Sequence, residues 1–247
     1  MSKYRVFLKE LSEHRVLLPE DEIHHLVRVR RCREGTLFEA IDPVSGRAYL
    51  CRLHKGEKGW RGEVVRLVEE STESHLEIGL AQSLIKKDEF EWVLQKSVEL
   101  GVASITPLIT ERTEIRFDDR REEKKMTRWR KIIGEAVKQS RRTKLPVLHE
   151  PLELETYIKM GSDELLLVLD EAGEVPFKDF LRSHRHISRC SLVVGPEGGW
   201  SERDRSIFVA SSLPQLRLGR RILRAETAPL VGLSILQYEY GDLNTHD

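Results

Sequence analysis

Hydrophobic positions over residues 1 to about 70 come in short runs, TLFEAI and WRGEVVRLV among them, separated by the turn signals Pro43-Val44-Ser45-Gly46 and Lys55-Gly56-Glu57-Lys58-Gly59. Runs of that length between glycine- and proline-bearing turns predict short β-strands. One helical segment, Asp21 to Arg31, interrupts them, so the first part of the chain reads as a small, mostly β domain carrying a basic helix. The stretch EESTESH, residues 69 to 75, is polar and without apolar periodicity, which marks it as a linker. The domains expected are residues 1–70 and 76–247.

After the linker, strands alternate with helices. LEIGLAQSL predicts a strand, Asp88 to Leu100 a helix closed by Gly101, and VASITPLI a second strand. From Met126 to Ser140, apolar or small residues at Trp129, Ile132, Ile133, Ala136 and Val137 have helical spacing, with Lys and Arg on the other face. LLLVLD (165 to 170) and SLVVG (191 to 195) flank a helix around Pro176 to Ser183. Both are almost wholly apolar, as strands of a parallel sheet covered on two faces must be. Ser201 with Asp204 predicts a capped helix to about Ser212, LRLG a short strand, and Glu226 to Tyr240 a final helix apolar on more than one side. This second part is an α/β domain, and a subunit interface would cover the extra apolar side of its last helix.

Composition narrows the class. With 39% hydrophobic and 33% charged residues, the chain can bury a core under a charged surface and is not a disordered polymer. No run approaches the roughly 20 apolar residues that span a bilayer, and MSKYRVFLKELSEHR is charged where a signal peptide is apolar. A cytoplasmic protein is therefore expected, without membrane or secretion. Cys32, Cys51 and Cys190 are odd in number and widely spaced, and His24 and His25 are adjacent rather than four apart, so neither a disulfide framework nor a metal is expected.

The net charge is zero, yet it is unevenly placed. From Thr110 to Pro146 there are thirteen Lys or Arg against seven Asp or Glu, a local excess of six. Two tighter clusters are Arg28, Arg30, Arg31 and Arg33, and Arg217, Arg220, Arg221 and Arg224. Each alone fits a solvated face; three together point to a polyanion.

The chemistry is concentrated in two loops. Gly195-Pro196-Glu197-Gly198-Gly199-Trp200-Ser201 runs from an apolar strand into a capped helix, a junction where glycine lets backbone N–H groups approach a ligand. It lacks the Lys-Ser/Thr of a P-loop and the GxGxxG of a dinucleotide fold, and a tight strand-to-helix turn needs the same glycines. Leu218 to Ala228, LGRRILRAETA, also lies at a strand end before a helix. Glu226 and Thr227 fit a first helical turn equally well, but in an open parallel sheet two loops at carboxyl strand ends make one site.

GPEGGWS followed by LGRRILRAETA closely resembles the signature of the bacterial 16S ribosomal RNA uridine-N3 methyltransferases, a family of the SPOUT superfamily. The segments HHLVRVRR, KKDEFEWVLQKSVELGVASITPLITERT and RWRKIIGEAVKQSRRTKLP resemble that family too, so the likeness covers essentially the whole chain. It implies an α/β knotted (SPOUT trefoil-knot) methyltransferase domain, a small N-terminal PUA-like β-barrel that binds RNA, a homodimer, and S-adenosylmethionine as the methyl donor. True knots are rare exceptions to ordinary connection rules, and hydropathy does not reveal one.

Position by position, the resemblance implies a cofactor pocket of Leu169, Gly195, Glu197, Gly198, Gly199, Leu218, Gly219, Ile222, Leu223, Arg224 and Thr227. Arg224 would stabilise charge on the uracil oxygens and Glu226 is the nearest candidate base, unless Arg224 simply pairs with Glu226 or Glu197 to hold the loop. Arg5, His25, Arg28, Arg30 and Arg31, with Arg112, Arg116, Gln139, Arg141 and Arg142, would contact RNA phosphates of 16S RNA in the small ribosomal subunit. Two other readings of the same residues are ribose 2′-O methylation by another SPOUT enzyme and a non-catalytic RNA-binding protein of ribosome assembly.

Overall fold

The computed structural model describes residues 4–57, 59–69, 71–114, 119–161 and 164–244. Two compact units emerge, the chain up to Glu73 together with Val137–Leu145, and Ser74–Ala136 together with the chain from Pro146.

The first unit holds a six-stranded sheet of β1 (Arg5–Phe7), β2 (Glu10–Ser12), β3 (Arg15–Leu17), β4 (Leu37–Asp42), β5 (Arg47–Gly56) and β6 (Gly59–Val68), in the order β1-β4-β5-β6-β3-β2. Only β1 and β4 run parallel; the other neighbours are antiparallel. Strict alternation along β5 would place Ala48 and Cys51 on opposite faces, yet both are buried. Both faces are covered there: Cys51 pairs with Phe38 in the core and Ala48 with buried Ile41 on the other side, while the register shift between Leu50 and Cys51 marks one extra residue, Val65, in β6. Val6, Val16, Leu26, Phe38, Cys51 and Leu53 form the core.

The helix expected over Asp21 to Arg31 is instead α1 (Glu20–His24) running into a π-helical turn over His25–Val29. The Arg30 N–H reaches the His25 carbonyl at 2.9 Å, and Arg31 ends the turn at φ +55°. Apolar spacing cannot reveal this, since Leu26 stays buried in either geometry. The wider turn leaves Arg28, Arg30 and Arg31 exposed. π-turns of this kind are rare and concentrate at functional positions.

Ion pairs explain why Val137–Leu145, continuous in sequence with the second unit, packs with the first. Arg142 lies 2.8 Å from Glu73, with side-chain exposures of 6% and 10%. The other Glu73 oxygen accepts the N–H groups of Thr143 and Lys144, and Lys138 pairs with buried Glu22 at 3.0 Å. Burial opposes ionisation of Glu73, but the guanidinium and the two N–H groups outweigh it and hold the carboxyl below its ordinary range. A depressed carboxylate stabilises the fold above its unfolded value and ceases to do so as pH falls through its folded value. In urea titrations the first unit is expected to weaken as pH falls from 6 to 3, with a shallower dependence in Glu73→Gln. That variant loses roughly 1–3 kcal/mol at pH 7 from unpaired buried donors; identical pH slopes for the two proteins would refute this.

The second unit begins with β7 (Glu77–Ser83), α2 (Lys87–Glu99), β8 (Ser104–Ile109) and α3 (Asp119–Gln139), whose last turn belongs to the first unit. It continues with β9 (Val147–Leu148), β10 (Leu152–Glu153), α4 (Leu154–Met160), β11 (Leu166–Leu169), β12 (Val175–Pro176) and α5 (Phe177–Ser183). Last come β13 (Arg189–Val194), α6 (Glu202–Ala210), β14 (Gln215–Arg217) and α7 (Thr227–Tyr240). The sheet is parallel throughout, ordered β10-β8-β7-β13-β11-β14-β12 with β9 beside β8. α3 starts seven residues before the predicted Met126, because its charged first turns are good helix formers without an apolar stripe. The adjacency of β13, β11 and β14 brings Val194, Leu169 and Arg217 together at one carboxyl edge of the sheet. Among the described residues no helix is long and apolar enough to cross a membrane.

Candidate functional site

A cleft of about 590 Å³ opens at that edge, lined by the chain after β11, the glycine loop after β13 and the arginine loop after β14. Its volume falls in the range of small-molecule sites. The cleft gathers every residue predicted for the cofactor except Thr227, and it includes the predicted catalytic pair Arg224 and Glu226.

The glycine loop is fixed from several directions. Gly199 adopts φ +66° and donates its N–H to the Pro196 carbonyl, a turn that a side chain would strain. A Cβ on Gly195 would lie 3.1 Å from the ring of Trp200, so this position admits only glycine without a shift. Trp200 is buried, and its indole N–H donates to the Leu169 carbonyl at 2.8 Å, joining the ends of β13 and β11. Ser201 and Asp204 then form the predicted capping box that starts α6.

Three tethers were not foreseen. Asp170, directly after β11, receives both the Nε and a terminal nitrogen of Arg205, at 2.8 and 3.0 Å. That hydrogen bonding raises the Arg205 pKa further, and the same guanidinium donates to the Trp200 carbonyl. Glu197 accepts the Lys86 N–H at 3.1 Å, capping a helix start that has no side-chain cap of its own, and so ties the loop to α2. Arg112 donates to the Gly198 carbonyl at 2.8 Å.

In the second loop Gly219 sits at φ +138°, and the Arg224 carbonyl accepts the N–H groups of Thr227 and Ala228, which starts α7. The Arg224 side chain is 86% exposed, with one nitrogen 3.7 Å from Glu226. Leu218, Gly219, Ile222 and Leu223 complete this wall. Lys86, Glu89, Asp170, Glu171, Arg217 and Arg221 also line the cleft and were not singled out for it. Asp170 and Glu171 were legible in principle, since they follow directly on an apolar strand whose carboxyl end forms the site.

The residues predicted to meet RNA divide by environment. Arg28, Arg30, Arg31, Gln139 and Arg141 of the first unit and Arg112 of the second are exposed. His25 is half-buried and its Nε2 accepts from Arg30 at 3.1 Å. Arg5 and Arg142 are enclosed: Arg5 pairs with Glu39 at 2.9 Å and donates to the Arg142 carbonyl, while Arg142 pairs with Glu73. Their charges are spent inside the unit, which corrects the expectation that they face a polyanion. Arg116 lies outside the described residues.

A sequence model described as an RNA methyltransferase domain matches residues 72–237, and one described as an RNA methyltransferase PUA domain matches residues 18–59. The chain belongs to the RNA methyltransferase family. Within that family it is similar to the ribosomal RNA small subunit methyltransferase E of Synechocystis, 32% identical with 92% of this chain and 74% of the relative covered. The protein of the same name from Bacillus subtilis is 31% identical, with 89% and 88% covered. The ribosomal RNA small subunit methyltransferase E of Neisseria gonorrhoeae, solved bound to S-adenosyl methionine, superposes with a TM-score of 0.86 at 33% identity over 97% of this chain and 99% of that one. The glycine loop and the arginine loop both lie inside the segment matched by the methyltransferase domain.

Proposed function

We propose that this protein methylates N3 of a uridine in 16S ribosomal RNA of the small subunit, using S-adenosylmethionine. The observation that carries the reading is the cleft itself, where two loops and the end of β11 gather nearly all the residues expected to hold the cofactor. Leu169, Gly195, Glu197, Gly198, Gly199, Leu218, Gly219, Ile222, Leu223, Arg224 and Thr227 form the cofactor set, with Glu197 acting through its tether to Lys86. S-adenosylmethionine supplies a methyl group already activated on a cationic sulfonium.

The protein then has to place uracil N3 in line and manage one proton. Arg224, exposed at the cleft, stabilises negative charge on the uracil carbonyl oxygens, and Glu226 beside it receives the N3 proton. A paired uracil has N3 engaged, so the target base is unpaired or turned out of its helix when it reacts. His25, Arg28, Arg30 and Arg31, Gln139 and Arg141, and Arg112 contact RNA phosphates.

In the same reading the first unit closes as a PUA-like barrel, the second carries a trefoil knot, and two copies associate in the cytoplasm. Half-buried Leu230, Val231 and Ile235 and 60%-exposed Tyr238 on α7 supply the apolar surface such an association needs. A non-catalytic role is separated from this one by transfer of labelled methyl from S-adenosylmethionine to small-subunit RNA, expected here and absent there.

Binding to that RNA is expected to fall steeply with salt, because cations that contact phosphates release counterions. The double variant Arg28→Ala/Arg30→Ala reduces the slope of log affinity against log salt by about 2. A slope unchanged from the wild type would remove the π-turn from the interface.

A further inference from the structure

Gln82 is the penultimate residue of β7, and its side chain is wholly buried. No catalytic or binding step described above uses it. Its amide Nε2 donates to two backbone carbonyls, that of Ser83 at 3.1 Å and that of Gly195 at 3.4 Å, while its Oε1 has no hydrogen-bond partner among the described residues. The orientation is fixed by chemistry, since turning the amide over would aim Oε1 at two carbonyl oxygens.

The reason for a side-chain donor lies in the sheet. β7 and β13 are parallel neighbours, with Gln82 opposite Val194 as the last pair. The Glu77 N–H donates to the Ser188 carbonyl, which sets the phase of a ladder that repeats every two residues. Carried up to Ser83, that phase requires the N–H of residue 196 to reach the Ser83 carbonyl. Residue 196 is proline and has none. The proline turns the chain out of the sheet into Glu197-Gly198-Gly199, and the same turn strips a buried carbonyl of its donor.

We infer that Gln82 is a positioning residue for the cofactor loop: its amide replaces the N–H missing at Pro196 and anchors Gly195, setting where the loop leaves the sheet. The inference rests on the reading of the cleft as the S-adenosylmethionine site. Gln82 touches no reacting atom; it acts through Gly195, which lines the cleft.

The test is a double-mutant cycle of Gln82→Met with Pro196→Ala, read by methyl transfer to small-subunit RNA and by calorimetric titration with S-adenosylmethionine. Met matches the length of Gln without a donor, and Ala at 196 restores a backbone N–H. Gln82→Met is expected to raise KM and Kd for S-adenosylmethionine about tenfold, as the buried Ser83 carbonyl and the half-buried Gly195 carbonyl lose their donor, with KM for RNA unchanged. In the Pro196→Ala background the same substitution costs less than about threefold, because the ladder can close.

An unchanged KM for the cofactor, or an equal rise in both backgrounds, overturns the inference. If Gln82→Met does not fold, the side-chain amide resonances of Gln82 in the wild-type protein carry the test. They shift on adding S-adenosylmethionine if the amide anchors the loop, and their constancy overturns it. A wild-type protein that binds S-adenosylmethionine without transferring methyl instead refutes the proposed reaction, leaving the anchoring role to be decided by the binding constants.

Discussion

Arg224→Ala is expected to lower kcat for methyl transfer by about 10²–10³-fold, the range seen when one preorganised stabiliser of transition-state charge is removed. The uracil oxygens gain negative charge as N3 loses its proton and attacks, and Arg224 is a cation on the cleft wall beside the candidate base. Its side chain is 86% exposed, and its ion pair with Glu226 spans 3.7 Å, so its removal should leave the fold intact. The variant should therefore melt with the wild type. Arg224→Lys keeps the charge but loses the planar fork and should fall between the two. Transfer at the wild-type rate in Arg224→Ala would leave the Arg224–Glu226 pair as a loop contact only.

The second large effect falls on stability and cofactor binding together. Trp200 is buried, packs edge-on against Phe208 with ring centroids 4.9 Å apart, and supplies the donor for the Leu169 carbonyl. Trp200→Ala opens a cavity under Gly195 and is expected to cost about 3–5 kcal/mol, with a fall in melting temperature of about 10 °C. Calorimetric titration should then show S-adenosylmethionine binding lost or strongly weakened, since the indole joins the two strand ends that frame the cleft. Trp200→Phe retains most of the packing and loses the N–H, costing about 1–2 kcal/mol. A Trp200→Ala protein with wild-type melting and cofactor affinity would show that the cleft does not depend on this tie.

Much of the second unit was legible in the sequence because its elements are long and their patterns unambiguous. The near-continuous apolar runs of β11 and β13 announce strands covered on both faces, and Ser201 with Asp204 marks the start of α6. Both loops of the cleft were visible for the same reason, each lying between a strand end and a helix start. The elements that escaped are β9, β10, α4 and β12, of two to seven residues, too short to carry a period.

Partnerships across the chain were the other blind spot. Nothing local marks Arg5 and Arg142 as buried ion-pair members while Arg28 and Arg30 stay exposed, because the difference depends on Glu39 and Glu73 arriving from elsewhere. Glu197 shows the same limit within a predicted site: its neighbours suggest a ligand loop, and only the fold shows its carboxylate capping α2. The π-turn at His25–Val29 has no apolar signature at all, since a single buried Leu26 anchors it.

The central claim is that the cleft transfers methyl to N3 of a uridine in small-subunit RNA. Its most direct test is incubation with S-adenosylmethionine and small ribosomal subunits lacking their native modifications, followed by nucleoside mass spectrometry of the RNA. The account predicts 3-methyluridine, formed by the wild type and formed far more slowly by Arg224→Ala. A ribose-methylated nucleoside in its place, or no methylated product from a protein that binds S-adenosylmethionine, would contradict it.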